Sequence, residues 1–361
     1  MSKITRIQEY LIEQDLELAV ISHPTSIHYL TGFACDPHER QLFLFIFRNK
    51  VPLLFVPSLE VNRASDEVSL DILGYLDAEN PWQILKDTGY FENLTKVTVE
   101  FDHLTLDKYM GLGAFLPHVL ENISPFINEM KLIKSPDEVT KLKIAGEWAD
   151  KAIQIGIASV ALSKTEDDII TEIEFAMKKA GITKMSFDTM VLTGTNAADP
   201  HGIPGQHPIE NNALLLFDLG VATNGYMSDI TRTIAVGEPT DFQKEIYALC
   251  LEAQEAAIAM IKPGVTAHEV DLAARSVIDA AGYGKYFNHR LGHGIGMEVH
   301  EFPSIMAGND MIIQEGMCFS VEPGIYIPGK VGVRIEDCGV VTANGFDLFT
   351  HTSKSLLSIL G

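Results

Sequence analysis

The sequence has few basic residues, few cysteines and no long apolar run. Lys and Arg number 27 against 49 Asp and Glu among 361 residues, so the formal net charge is −22. A polyphosphate partner needs a basic face, and this charge balance therefore argues against nucleic-acid binding. No window approaches the ~18 uncharged apolar residues of a membrane-spanning helix, so we expect no membrane span.

The cysteines are also widely spaced and form no CxxC pair: Cys35, Cys250, Cys318 and Cys338. Such spacing argues against a disulfide framework or a zinc ribbon and is typical of reduced thiols. The N-terminal residues lack the apolar stretch of roughly 7–15 residues that follows a basic start in a signal peptide. We therefore expect a cytoplasmic protein.

Apolar residues make up 46% of the chain, which is enough for a sizeable core, and the length suggests two domains. The first part alternates helical and strand patterns. A helix is predicted near 3–14, and strands are predicted over 18–21, 42–47, 52–56 and 96–101. This alternation predicts an α/β domain.

A helix start marks the domain boundary within 130–143, where Ser135 and Glu138 form a capping box. The predicted domains are therefore 1–128 and 129–361. Thr165, Thr240 and Thr266 mark further helix starts in the second domain. Strand-like runs joined by short turns follow, over 214–220, 225–236, 316–327 and 332–342. Hairpin connections favour an antiparallel sheet with helices on one face, so the second domain is predicted to be α+β.

Acids and a histidine interrupt these apolar strands. Asp218 lies in LLLFDLG and Asp229 in YMSDITRT, and a hairpin of the two runs would place both carboxylates at one cation site. Glycines flank His293 in LGHGIGMEVHE, while Glu322 and Glu336 lie in FSVEPGIY and VRIEDCGVV. A buried charge costs several kcal/mol unless it is paired or binds a metal. This oxygen-rich set suits two Mn²⁺, Co²⁺ or Zn²⁺ ions bridged by carboxylates and a hydroxide.

Each of these residues has an ordinary alternative role when it is taken alone. Asp218 suits a structural ion pair, and Asp229 and Glu336 suit solvent-facing strand positions. His293 suits a simple hydrogen-bonded histidine, and Glu322 suits a turn. Their joint occurrence in apolar or glycine-framed segments of one domain argues against these alternatives.

At these five segments the sequence resembles the pita-bread metallopeptidases, which include methionine aminopeptidase, aminopeptidase P and prolidase. Creatinase is a relative that has lost the metals. The segments HPTSIHYLTGF (23–33), MKLIKSPDE and FNHRLGHGIG (287–296) look like those of bacterial Xaa-Pro dipeptidases. The resemblance implies a creatinase-like α/β N-terminal domain and an α+β pita-bread catalytic domain. It also implies the metal ligands Asp218, Asp229, His293, Glu322 and Glu336.

The implied activity is hydrolysis of Xaa-Pro dipeptides to an amino acid and proline, through a hydroxide that bridges two ions, most commonly Mn²⁺. Glu322 is the candidate proton shuttle to the departing proline nitrogen. Two histidines match the family's substrate-binding pair, His201 in DPHGIPG and His300 in EVHEFP, with structural support as their alternative role. Arg334 resembles the arginine that orients an aspartate ligand. We also expect a homodimer.

A dipeptidase needs a cation near the free carboxylate of its substrate. Some prolidases carry an arginine shortly after the HE of the VHE motif, but this chain has HEFPSI with Ser304 there. The candidate replacements are Arg290 and Arg40, the latter in ACDPHER (34–40). We hypothesise that this loop covers the active site, although an ordinary solvated loop is the alternative.

Two other functions compete with a dipeptidase. Aminopeptidase P activity would release the first residue from longer Xaa-Pro peptides. A non-enzymatic pita-bread binding module is the alternative from a different class, but it requires missing ligands, and all five are present. A creatinase-like amidino hydrolase is disfavoured for the same reason.

Overall fold

The computed structural model describes residues 2–117, 120–199 and 201–360. The chain divides into two compact units, 1–130 and 131–361, whereas we predicted the division after residue 128. Within the described ranges, no helix is long and apolar enough to cross a membrane.

The N-terminal unit is a mixed sheet flanked by short helices. The helices are α1 (Lys3–Glu13), α2 (Pro24–Thr31), α3 (Val61–Glu67), α4 (Pro81–Asp87), α5 (Leu106–Leu112) and α6 (Ser124–Leu132), which contains the division between the units. The strands are β1 (Leu18–Ile21), β2 (Phe43–Phe47), β3 (Leu53–Pro57), β4 (Asp71–Tyr75), β5 (Val97–Val99) and β6 (Leu120–Asn122). Their order is β4-β3-β2-β1-β5-β6, so the predicted α/β class is confirmed.

The core of this unit is almost wholly apolar. Every residue of β1, β2 and β3 is buried, as expected for central strands covered on both faces. The β2–β3 hairpin pairs antiparallel, and the Phe45 ring packs against Phe91 with 4.8 Å between centroids. The apolar runs of the sequence therefore become the interior of the sheet.

The C-terminal unit has long helices whose starts follow the predicted capping signals. They are α7 (Pro136–Ser159), α8 (Glu166–Lys179), α9 (Asp241–Met260) and α10 (Ala267–Ala280). Capping boxes begin at Ser135, Thr165, Thr240 and Thr266, where each hydroxyl accepts a hydrogen bond from the third helical N–H. Local sequence therefore determines where these helices begin.

The strands of this unit build a large, mainly antiparallel sheet and smaller hairpins. They are β7 (Lys184–Met185), β8 (Met190–Thr193), β9 (Ala213–Leu219), β10 (Val221–Thr223), β11 (Tyr226–Met227), β12 (Ile230–Val236), β13 (Gly292–Gly294), β14 (Glu301–Ile305), β15 (Cys318–Val321), β16 (Gly324–Ile327), β17 (Val331–Arg334), β18 (Glu336–Thr342), β19 (Gly345–Leu348) and β20 (Ser358–Ile359). The order of the main sheet is β14-β13-β15-β18-β12-β9-β8.

Three of the strand-like runs are shorter than predicted, and each is interrupted beside an acid. The run 225–236 leaves Ser228 and Asp229 between β11 and β12. The run 316–327 breaks at Glu322 and Pro323, because proline has no N–H to donate to a neighbouring strand. The run 332–342 breaks just before Glu336. The acids therefore lie at strand ends, where the backbone turns.

Side-chain alternation directs one face of β9 away from the helices. Leu215, Phe217 and Leu219 pack with residues of α7 and α8 in one apolar cluster. Asp218 lies between the last two of these and therefore points to the opposite face. The polar side chains of the neighbouring strands meet on that face.

Candidate metal centre

Strand register brings two of the predicted acids to either side of one threonine. Thr231 of β12 pairs with Asp218 of β9 on one side and with Glu336 of β18 on the other. Asp229 lies two residues before Thr231, directly ahead of β12. The predicted hairpin is present, and it places both aspartates at the same edge of the site.

His293 and Glu322 complete the cluster from the neighbouring strands. His293 lies in β13, and its Nε2 is 3.1 Å from Glu322 Oε1 and 3.6 Å from Asp229 Oδ2. The Ser320 hydroxyl donates to Glu322 at 3.0 Å and accepts from the His293 N–H at 3.0 Å. Glycine is required beside the histidine, because a Cβ at Gly294 would lie 2.1 Å from the Phe302 carbonyl oxygen.

The cluster has the donor atoms that divalent cations need. Among the described residues, buried carboxylate oxygens of Asp218, Asp229 and Glu336 have no hydrogen-bond donor. Ligand atoms of Asp229, His293 and Glu336 lie within 4.8 Å of one another. An unpartnered buried carboxylate is costly, and a cation would remove that cost, so the residues fit a metal site.

The electrostatics of the cluster support the same conclusion. Burial raises the pKa of Asp229 and of Glu336 well above the usual range, and repulsion from neighbouring carboxylates adds to each rise in pKa. Burial also acts to raise the pKa of Glu322, but its hydrogen bond with His293 and the nearby positive charges bring that pKa to about 2. The charged forms of Asp229 and Glu336 are therefore unfavourable in this cluster, and a bound cation would offset that cost.

Arg334 is the direct cationic partner of an acid in this cluster. Its guanidinium donates to Asp218 Oδ2 through Nη2, to the Thr231 hydroxyl at 3.1 Å and to the Tyr326 hydroxyl at 2.7 Å. Thr231 in turn donates to Glu336 Oε2 at 2.7 Å. We did not predict Thr231 or Tyr326. In the sequence they are ordinary strand residues, and only register reveals their role.

The cluster opens into a cavity of about 460 Å³ that is also bordered by three of the four predicted substrate residues, His201, Arg290 and His300. The His300 ring meets the His293 ring edge-on, with 4.2 Å between centroids. Burial and the neighbouring His293 and Arg290 lower the pKa of His300 to about 4, so its imidazole is neutral at pH 7. His201 is exposed at the cavity margin, and its N–H donates to Asp199 at 3.0 Å.

The two arginines predicted to bind the substrate carboxylate occupy different units. Arg290 borders the cavity and donates to the Ser304 hydroxyl at 3.4 Å. His289 beside it also borders the cavity and was not predicted; its Nε2 is 3.2 Å from the Tyr326 hydroxyl. Arg40 lies in the N-terminal unit, where it donates to both carboxylate oxygens of Asp77 at 2.7 and 2.9 Å.

Buried carboxylate oxygens without hydrogen-bond donors, together with one imidazole, make this face of the sheet a candidate site for divalent metal ions. Residues 140–343 match the model of metallopeptidase family M24, and residues 3–133 match the Creatinase/Prolidase N-terminal domain. The chain belongs to metallopeptidase family M24. The predicted resemblance and fold class are confirmed, and the family implies divalent metal ions.

Relatives and solved structures match over nearly the whole chain. The Xaa-Pro dipeptidase of Lactobacillus delbrueckii subsp. lactis is 49% identical over 362 residues, covering 98% of each chain. The prolidase of Pyrococcus horikoshii OT3 has a TM-score of 0.92 at 35% identity, covering 98% of this chain and 99% of the other. The Xaa-Pro dipeptidase of Bacillus anthracis has a TM-score of 0.92 at 34% identity, covering 99% of each chain.

Proposed function

We propose that the protein hydrolyses Xaa-Pro dipeptides and releases a free amino acid and proline, using two divalent ions, most commonly Mn²⁺. One observation carries the proposal. Three unpartnered buried carboxylate oxygens and one imidazole meet at the base of a cavity of about 460 Å³, a volume suited to a small peptide. The ions would be held by Asp218, Asp229, His293, Glu322 and Glu336.

When bound, the divalent ions lower the pKa of water and polarise the carbonyl group of the scissile bond. Glu322 accepts the proton that the attacking water loses and delivers it to the proline nitrogen. Ser320 and His293 fix the orientation of the Glu322 carboxylate. Arg334 and Thr231 fix the carboxylates of Asp218 and Glu336 in the same way.

His300 and His201 bind the substrate from the rim of the cavity. The low pKa of His300 keeps its ring neutral, so one nitrogen donates a hydrogen bond to the peptide carbonyl or to the product carboxylate. His201 approaches from the segment between β8 and β9 and binds the same end of the substrate. Both roles concern the reacting peptide and not the stability of the sheet.

Arg290 is the proposed partner of the free C-terminal carboxylate. It borders the cavity, and its contact with Ser304 is long, which leaves guanidinium donors for a ligand. Arg290→Ala should raise the KM for Leu-Pro about 10- to 100-fold, whereas Lys285→Ala, which removes an exposed cation five residues earlier in the chain and outside the cavity lining, should leave KM unchanged. The matching Arg40→Ala variant tests the loop hypothesis. If neither arginine variant changes the apparent affinity, both assignments are wrong.

The decisive experiment compares Leu-Pro with Leu-Pro-Gly after the protein has been stripped with EDTA and reloaded with Mn²⁺, Co²⁺ or Zn²⁺. We expect strong hydrolysis of the dipeptide, weak hydrolysis of the tripeptide, and two ions per chain. Equal turnover of both peptides would instead establish aminopeptidase P activity. Low metal content without hydrolysis would establish a binding module. The homodimer and the cytoplasmic compartment stay predictions, to be tested by light scattering and cell fractionation.

A further inference from the structure

We propose that Glu166 is a positioning residue that holds His201 at the cavity by anchoring the segment between β8 and β9. The inference rests on the proposed function, because His201 matters there as a substrate-binding residue. Glu166 is the first residue of α8 and borders neither the cavity nor the metal cluster.

The carboxylate of Glu166 is fully buried and accepts hydrogen bonds from both ends of the stretch 193–205, which runs from the last residue of β8 into the connection to β9. At the first end, the Thr193 N–H donates to Oε1 at 2.7 Å, and the Asn196 amide donates to both oxygens at 3.0 Å. At the far end, the Gly205 N–H donates to Oε2 at 3.0 Å. One side chain therefore joins two points that lie on either side of His201.

Between these anchors, Ala197 is buried against Leu192 and Leu216, whereas His201 is exposed. His201 is held locally by the bond from its N–H to Asp199, and the Asn196 amide also donates to the Ile203 carbonyl at 3.3 Å. The far end is fastened to α8 through the bond from the Asp167 N–H to the Gly205 carbonyl. In the described part of the chain, the Glu166 carboxylate is the group that accepts from both Thr193 and Gly205. The Glu166 carboxylate therefore ties together the two sides of the stretch that carries His201.

The chemistry of Glu166 fits an anchor better than a packing residue. A buried carboxylate costs free energy unless it is well bonded, and an apolar side chain would fill the same space more cheaply. Burial raises the pKa of Glu166, and the hydrogen bonds from Asn196, Thr193 and Gly205 act against that rise. These donors all lie within 193–205, so the carboxylate fixes the geometry of that stretch.

Glu166 also lies in the first turn of α8, where an acid stabilises the helix, and the test must separate that effect from anchoring. Asp168 provides the matched control. It is an acid of the same turn, but its carboxylate accepts from the N–H and hydroxyl of Thr165. Glu166→Gln keeps the shape and removes the charge, and Asp168→Asn does the same at the control position.

The first measurement is amide hydrogen exchange over 193–205 in the full-length protein. We expect Glu166→Gln to speed exchange there by about 10-fold or more, because hydrogen bonds to a charged group are lost. Asp168→Asn should lower the Tm without this local change. Asn196→Ala, which removes the donor from the segment side, should speed the same exchange. Unchanged exchange in Glu166→Gln or Asn196→Ala overturns the proposal.

The second measurement combines Glu166→Gln with His201→Ala in Leu-Pro hydrolysis. Glu166→Gln alone should lower kcat/KM about 10- to 100-fold, since a small displacement of a positioned group is that costly. In the His201→Ala background the further loss should be less than about 2-fold, because coupled residues are not additive. A full loss in that background, or no loss in either variant alone, overturns the positioning role. Failure of the unsubstituted protein to hydrolyse Leu-Pro would sink the proposed function, and exchange would still decide whether Glu166 anchors the segment.

Discussion

The central strands of the N-terminal unit and those of the C-terminal unit bury very different side chains. In the first unit, β1, β2 and β3 are buried and apolar throughout. In the second unit, β12 is buried throughout and β18 is buried in all but its last residue, yet these strands carry Thr231, Arg232, Glu336 and Asp337. Both units obey the same rules of sheet formation. The first uses its interior for stability, and the second holds charge there for chemistry.

Buried charge in the C-terminal unit is itself of two kinds. Arg232 donates to Asp337 Oδ1 at 2.6 Å and to the Glu336 carbonyl at 2.6 Å, and Gln254 donates to the other Asp337 oxygen at 2.9 Å. These groups are satisfied within the protein. Oxygens of Asp229 and Glu336 are not. The proposed metal-binding face is therefore distinguished by buried carboxylate oxygens that lack a hydrogen-bond donor, and not by the burial of charge alone.

The largest expected effect follows from removing a charge on that unsatisfied face. Asp229→Asn should lower kcat/KM for Leu-Pro by at least about 1000-fold, because metal ions contribute several kcal/mol to hydrolysis. Metal content, measured by elemental analysis after reloading, should fall in parallel. Full metal content together with full activity would remove Asp229 from the ligand set.

Next in size is the contrast between two buried aspartates in the EDTA-treated protein. Asp337→Asn should lower the free energy of unfolding by about 3–5 kcal/mol, because it breaks a buried pair with Arg232. Asp229→Asn should raise that free energy, since it removes repulsion without removing a bonded partner. Urea unfolding followed by circular dichroism measures both. The same sign for the two variants would refute the distinction between satisfied and unsatisfied acids.

A core substitution in the N-terminal unit should affect stability and leave the chemistry intact. Phe45→Ala should lower the free energy of unfolding by about 3–5 kcal/mol, because a fully buried ring is lost. The N-terminal unit contains Trp82 and the C-terminal unit contains Trp148. In a Trp148→Phe background, the fluorescence of Trp82 therefore follows the unfolding of the N-terminal unit. The metal content of folded Phe45→Ala should equal that of the parent. A loss of bound metal would show that the two interiors are not independent.

The smallest expected effect concerns the α10 capping box, which should respond to pH without any metal. Hydrogen bonds from the Thr266 N–H and hydroxyl hold the pKa of Glu269 below its usual value of 4.5. A depressed carboxyl pKa stabilises the fold above the usual value, and this contribution disappears as pH falls through the folded pKa. Glu269→Gln should therefore lower the Tm at pH 7. The difference should shrink on acidification, and a constant difference would contradict the assignment.

The sequence analysis singled out the residues of the proposed metal site because charge inside an apolar strand is a local signal. Asp218 and Glu336 stand out among their immediate neighbours, and the glycines around His293 do so too. Helix starts such as Ser135 were equally predictable, since a capping box spans four residues.

Residues whose role depends on distant contacts could not be predicted in this way. From the sequence, Thr231 is an ordinary strand residue. Only the strand register shows that it lies between Asp218 and Glu336. Glu166 reads as an acid of a first helical turn, yet its partners lie 27 to 39 residues away. Periodicity and capping are short-range patterns, and they contain no information about such pairings.

The spread of the five proposed ligands along the chain, from Asp218 to Glu336, has a kinetic consequence. Three of them lie in β9, β13 and β18, Asp229 directly precedes β12, and Glu322 directly follows β15. No short stretch of the unfolded chain therefore contains the full set. A cation can bind with full affinity only after these strands have paired, and its binding energy is absent while they are still assembling. We therefore expect metal to slow unfolding far more than it speeds refolding.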